Sequence, residues 1–244
     1  MFRWLGLSTV LVLCGMNVQA QDVDDILKQA DSYRQTAESI RVDLDIDTYE
    51  NEQFDKKRQY RVYIKPGRRS LVVFKTPDQI GQKILLNGDN FYLFMPQSRR
   101  AIRITPMQKL LGEASTGDIA NMTWSEDYTG TLASAAVDVE GRQCILLELA
   151  ASRKGVTYER IELYVDQKGY APVFAKLYLK SGKLAKEAYY YLDKLNGRMQ
   201  VTRMKLVDKI KDNRYTLVNY HAMSEMAFSD NYFNSQYLAR TTIE

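Results

Sequence analysis

Two hydrophobic periods divide this chain. Over residues 22–39, Ile26, Leu27, Ala30, Tyr33 and Ala37 recur at three- and four-residue spacing, which gathers them into one apolar stripe of a helix. Asp22, Asp24 and Asp25 crowd the start, where carboxylates suit the positive end of a helix dipole. Beyond Ile40 the period falls to two. Val42, Leu44 and Ile46 alternate with Asp43, Asp45 and Asp47, as in a strand with one dry face and one wet face. Further strand segments are predicted at 58–65, 70–75, 82–87, 90–96 and 99–104. A second series follows at 128–137, 143–150, 158–165, 172–180, 185–192, 199–208 and 213–221. Turn residues punctuate them at Pro66-Gly67, Asn87-Gly88-Asp89, Glu140-Gly141, Ser181-Gly182 and Asn196-Gly197. Strands at this spacing predict one antiparallel sheet of roughly ten or eleven members. Sheets that wide rarely stay flat, so it must curl.

One stretch breaks the strand rhythm. Residues 105–124 carry Met107, Leu110, Leu111, Ile119, Met122 and Trp124, and are expected to form two short helices or turns. Together with the first helix they could plug the concave side of the curled sheet. The fold class expected is therefore mainly β with a few helices.

The beginning of the chain follows a different grammar. Arg3, an apolar run from Leu5 to Met16, and Val18-Gln19-Ala20 read as a secretory signal peptide cleaved before Gln21. The apolar run is too short to span a bilayer. This predicts residues 1–20 as signal peptide, 21–244 as a single domain, and export to the periplasm. Leu13 stands before Cys14, where lipoprotein acylation needs a small residue. Cys144, in an apolar strand segment, is then the only cysteine left, so no internal disulfide can form; a buried structural thiol is expected.

Charge and chemistry narrow the function by exclusion. The net charge is +4, or +3 once Arg3 is gone, too small to argue for nucleic acid. His221 is the only histidine, and neither a zinc-ligand spacing nor a G-x-S-x-G elbow accompanies it. Phosphate-cradling glycine loops and dinucleotide fingerprints are missing as well. Asp43, Asp45 and Asp47 lack the glycine and distal glutamate of a calcium loop. No enzyme, cofactor or metal site is predicted. The doublets Arg68-Arg69 and Arg99-Arg100 fall in turns. They are read as solvated hairpin ends, or as docking points for an acidic partner or membrane surface.

From Tyr63 to Ile104 the sequence resembles the bacterial outer-membrane lipoprotein-sorting family, the LolA/LolB-type carriers and their relatives. The likeness rests on Tyr63-Ile64-Lys65-Pro66, on Leu71-Val72-Val73-Phe74, and on the hairpin from Ile84 through Asn87-Gly88-Asp89 to Phe94-Met95-Pro96. The tail, from Met226 to Phe233, is similar to that of the LolA-like branch. The resemblance implies a curled antiparallel half-barrel, helices over its concave face, and a hollow that accepts lipoprotein acyl chains or lipid. Val42, Leu44, Ile46, Val62, Val72, Phe74, Phe91 and Leu93 would line the hollow. Met107, Leu110, Leu111, Met122 and Trp124 would form its lid. Lys65 stands where the carriers have an arginine that holds the lid; it lacks the planar fork of that side chain. The implied protein is a monomeric chaperone for acyl groups, with an inner-membrane transporter as a further partner. The alternative is an accessory module of an inner-membrane export system with no bound lipid.

Overall fold

The computed structural model describes residues 22–35, 37–98, 100–105, 114–119 and 123–243. The expected signal peptide lies outside them. Thirteen strands form one antiparallel sheet: β1 (Ile40–Glu50), β2 (Gln53–Lys65), β3 (Arg69–Phe74), β4 (Lys83–Asn87), β5 (Asn90–Phe94), β6 (Ile102–Ile104), β7 (Tyr128–Val139), β8 (Arg142–Ala151), β9 (Arg160–Asp166), β10 (Pro172–Tyr178), β11 (Leu184–Leu195), β12 (Arg198–Asp208) and β13 (Arg214–Glu225). Their order is β6-β5-β4-β3-β2-β1-β13-β12-β11-β10-β9-β8-β7. Every predicted segment became a strand, so the sheet is wider than the ten or eleven members expected. The first strand lies near its middle, paired with the last: Ile46 faces Val218 and Ile40 faces Glu225.

The helices are short. Helix α1 (Val23–Ser32) stops well before residue 39; α2 (Thr116–Ile119) and α3 (Trp124–Asp127) interrupt the sheet between β6 and β7, and α4 (Ser235–Leu238) lies near the end. Asp22 caps α1 by accepting the N–H of Asp24 at 3.2 Å. The buried face of α1 carries Ile26, Leu27 and Ala30, but also Asp31. It packs on β7 and α3, and Gly130 of β7 is what permits this: a Cβ there would meet Val23 Cγ1 at 2.6 Å.

Alternation along the strands builds two faces. Val42, Leu44, Ile46, Val62, Val72, Phe74, Phe91, Leu147, Leu163 and Val218 bury into one core on the concave side, with Ile26 and Leu27 of α1 and Trp124 of α3. On the convex side, Tyr63, Leu71, Val73, Leu85 and Phe94 are covered by Phe228, Phe233, Leu238 and Ile243 of the C-terminal segment. That segment is pinned by Lys65 Nζ to Asp230 at 2.7 Å, by Lys83 Nζ to the Leu238 carbonyl at 2.8 Å, and by Asn87 to the Phe233 carbonyl at 3.1 Å. Cys144 is fully buried on the convex side with Tyr164 and Phe174, and burial raises its thiol pKa.

Curling is visible in one ion pair. In a flat sheet β3 would lie roughly 40 Å from β7, nine strand intervals away. Instead Arg68, in the turn between β2 and β3, donates from Nη1 to Asp127 at the end of α3, and from Nη2 to the Gly155 carbonyl at 3.2 Å. Arg68 is 5% exposed and Asp127 2%, which corrects the reading of Arg68 as a solvated or docking residue. Its neighbour Arg69 pairs with Asp230 at 3.0 Å; Arg99 lies outside the described residues, and Arg100 is exposed.

Removing the guanidinium from the clasp leaves the Asp127 carboxylate buried without its main partner. Arg68→Met is therefore expected to lower stability by about 3–5 kcal/mol, read as a shift in the urea midpoint. Arg69→Met, whose guanidinium meets the exposed carboxylate of Asp230, the Pro66 carbonyl and the Phe233 ring but no buried charge, should shift the midpoint by much less.

Candidate ligand-binding cleft

The concave core leaves a narrow cleft where α1 and α2 approach the middle of the sheet. Its sheet-side wall is largely aliphatic, built from Val42 and Leu44 of β1, Val62 and Ile64 of β2, Val201 of β12 and Met223 of β13, with Tyr220 of β13 beside them. These residues lie together because β2, β1, β13 and β12 are consecutive neighbours and strand alternation turns the even-numbered residues of β1 inward. The opposite wall is mainly polar: Asp31 of α1, Arg34 and Gln35 just beyond its end, Asp118 from α2, and Thr123, with Ile119 of α2 as its apolar member. The space between the walls is about 40 Å³, room for a few water molecules.

Buried ionic contacts hold the helical wall in place. Asp118 accepts from Lys186 of β11 at 2.5 Å, from the Tyr158 hydroxyl at 2.6 Å and from the Ser115 N–H at 2.8 Å. Burial alone would raise its pKa, but the Lys186 ammonium and these hydrogen bonds outweigh it and hold the carboxyl below its usual value. Asp31 does a second job. Thr123 occupies the N-cap of α3 without a side-chain cap bond; Asp31 of α1 caps it instead, accepting the N–H groups of Trp124 at 3.0 Å and Ser125 at 2.8 Å. Burial raises the Asp31 pKa despite these bonds. Trp124 is fully buried, with the Arg34 guanidinium 4.5 Å over its ring and Tyr190 edge-on at 5.7 Å.

The predicted site residues divide as follows. Val42, Leu44 and Val62 line the cleft. Ile46, Val72, Phe74 and Phe91 lie deeper in the same concave core, and Leu93 packs half-buried against it. Among the lid residues, Trp124 joins that core through α3; Met107, Leu110, Leu111 and Met122 lie outside the described residues. Lys65 contacts the C-terminal segment, at Asp230 and at the Phe228 carbonyl (3.3 Å), and the interrupting helices are held by other cations, Arg68 at Asp127 and Lys186 at Asp118. His221 lies on the convex face, 2.9 Å from Asp45, away from the cleft. Asp45 is itself buried between His221 and Lys57. No group of three His, Cys, Asp or Glu suited to a metal ion occurs among the described residues.

Sequence reasoning missed Asp31, Asp118 and Lys186. Two left a signal. Asp31 interrupts the apolar stripe of the first helix four residues after Leu27, and Lys186 shares a strand face with Ala188 and Tyr190. A charge on a dry face needs a buried partner.

Comparison with known proteins follows this architecture closely. A LolA superfamily protein from Nitrosomonas europaea is 30% identical, with a TM-score of 0.80, the alignment covering 87% of this chain and 97% of that one. The chain belongs to the LolA superfamily. A family model described only as an uncharacterized protein matches residues 66–240. Two further solved LolA-like folds agree: a DUF1329 family protein from Desulfovibrio piger (22% identity, TM-score 0.74, covering 88% of this chain and 97% of that one), and a domain from Vibrio parahaemolyticus named for outer membrane lipoprotein sorting (18%, 0.72, 90% and 100%). No curated protein matches the sequence. Among the described residues of this LolA superfamily member, no helix is long and apolar enough to cross a membrane.

Lys186→Met tests the ionic wall. At pH 7 it should cost about 3–5 kcal/mol, because it strands a buried carboxylate. The sign then reverses with pH. In the parent, the depressed Asp118 pKa contributes stability above the unfolded value of 3.8, which is lost as pH falls through the folded pKa. In the variant, burial without the ammonium raises the Asp118 pKa, so protonation relieves the penalty. The gap between variant and parent urea midpoints should narrow as pH drops from 7 towards 4.

Proposed function

We propose that this protein is a periplasmic binding protein that holds an acyl chain, of a lipid or a lipoprotein, against the concave face of its sheet. The observation that carries the reading is the cleft with one largely aliphatic and one mainly polar wall, opening onto a continuous apolar core. An acyl chain needs a dry and non-directional surface, and each buried methylene contributes about 0.8 kcal/mol. The polar wall suits the end of an amphiphile that stays near water. Membership of the LolA superfamily supports the same reading, as does the Vibrio fold-relative named for lipoprotein sorting. Enzymatic turnover has no support in the cleft: its two carboxylates are engaged, Asp31 in capping α3 and Asp118 in an ion pair with Lys186, and His221 and Cys144 lie on the other face.

At about 40 Å³, room for only a few waters, the cleft does not accommodate a long acyl chain as it stands. Loading therefore requires α1 and α2 to part from the sheet, exposing Val42, Leu44, Val62 and the core residues beneath. The narrow interior is also the observation that favours the second reading, an accessory module of an inner-membrane export system that holds no lipid.

Denaturing mass spectrometry of natively purified protein separates the two. The acyl-carrier reading expects a lipid to co-purify, or a fluorescent fatty acid to bind in micromolar amounts. Ile119→Arg, which puts a charge on the α2 side of the cleft, should reduce the bound lipid at least tenfold while the protein stays folded. A preparation free of lipid that also ignores the fluorescent fatty acid would sink the proposal.

A further inference from the structure

We infer that the end of the sheet formed by the β1–β2, β12–β13 and β10–β11 turns docks onto an anionic lipid bilayer. The inference is independent of what the cleft holds. It begins with two large apolar side chains left exposed at this end. Phe54, the second residue of β2 next to the β1–β2 turn, is 56% exposed, and Ile210, in the β12–β13 turn, is 46% exposed. The turns are joined: the Asn51 N–H donates to the Asn213 carbonyl at 2.8 Å, and the Lys209 N–H donates to the Ala185 carbonyl at 2.9 Å beside the β10–β11 turn. Behind Phe54 stands an aromatic stack outside all the core clusters. Tyr49 meets Phe54 edge-on at 5.8 Å and lies flat on Tyr215 at 4.6 Å, with the Lys205 ammonium 4.4 Å over the Tyr215 ring.

These apolar tips are presented rigidly. Asp208 accepts the N–H groups of both Ile210 (2.8 Å) and Lys211 (3.0 Å), which folds the turn back on a buried carboxylate and leaves the isoleucine outermost. Asn51 and Glu52 both adopt positive φ, 51° and 64°, the pattern of a tight primed hairpin turn.

Charge selects the partner. Residues 50–58, 179–183 and 208–214 hold eight basic and five acidic side chains. Of the acids, Asp208 is buried, Glu50 is paired with Arg214 and Asp55 with Lys56. Lys209 and Lys211 flank Ile210, and Lys180 and Lys183 lie in the neighbouring β10–β11 turn; all four are exposed, Lys209 within 3.5 Å of Glu187. At the opposite end of β7 to β12, residues 138–142, 166–170 and 193–198 are balanced, four basic against four acidic. Exposed lysines beside exposed Phe and Ile, backed by the half-buried Tyr49 and Tyr215, match a bilayer interface with negative head groups.

Sedimentation with lipid vesicles tests this on the purified protein. Binding is expected to vesicles of phosphatidylcholine mixed with phosphatidylglycerol, weakening as salt rises, and not to phosphatidylcholine alone. Replacing Lys180, Lys183, Lys209 and Lys211 together by Gln should weaken binding roughly tenfold or more. The double variant F54S with I210S should weaken it by a similar factor. Lys168→Gln with Lys194→Gln, at the other end of the strands, should bind like the parent, and thermal unfolding of all three variants should match it. The inference is overturned if the parent ignores anionic vesicles at low salt or binds neutral ones equally well. It also fails if the first two folded variants bind as the parent does. Lipid co-purification reports on the cleft alone, so the two proposals fail separately.

Discussion

A sheet this wide must be held in its curve, and here the holding is done by charge buried between distant elements. Strand twist bends thirteen strands in the right direction, yet the concave core is continuous only because the far ends meet. Arg68 reaches Asp127 and the loop around Gly155 from the opposite half of the sheet. Burial pushes the Asp127 pKa up in spite of that arginine, so desolvation of the pair is substantial. Such a contact is weak evidence for net stability and better evidence for geometry: an apolar pair at the same place could slide, whereas this one fixes which turn meets which helix.

The helical wall over the concave face follows the same logic. Helices of four residues cannot stand alone, since nucleating a turn is unfavourable and so few bonds follow. Both α2 and α3 are defined by what they dock on: Asp118 on Lys186 and Tyr158, α3 on the carboxylate of Asp31. That last contact joins α1 to α3 through backbone N–H groups, so the two helices are set to move as one unit against the sheet. In this LolA superfamily member, polar contacts specify the position of the wall while apolar contacts supply most of its adhesion.

Strand placement was legible because a half-buried strand advertises itself every second residue; all thirteen segments, from 41–47 to 213–221, are strands. The count of the sheet was underestimated because local pattern does not say which strands share it. Nor could pattern place β1 beside β13, a pairing between residues some 170 positions apart in sequence. The first helix was drawn too long since Tyr33 and Ala37 kept the helical spacing; Tyr33 instead donates its hydroxyl to the Gly169 carbonyl and its carbonyl accepts from Val201, which ends the helix against the sheet. Within the cleft, Val42, Leu44 and Val62 were readable from alternation. Arg68 was not, because a turn arginine looks the same in sequence whether it faces water or a distant aspartate. Lys65 was read through its likeness to a lid-holding arginine, and its contacts with Phe228 and Asp230 depend on where a tail more than 160 residues away comes to lie.

The position of the chain's last forty residues has a consequence for how the molecule comes into being. Synthesis proceeds from the amino end, but β1 acquires one of its two neighbours only when β13 emerges. The outer face of β2 to β5 stays bare until Phe228, Phe233, Leu238 and Ile243 arrive. A nascent chain lacking its tail therefore presents two unfinished surfaces, an unpaired strand edge and a greasy patch, both prone to wrong partners. Pairings of such high contact order also form slowly. Completion of this fold is a late, all-at-once event that awaits β13 and the segment carrying Phe228 to Ile243.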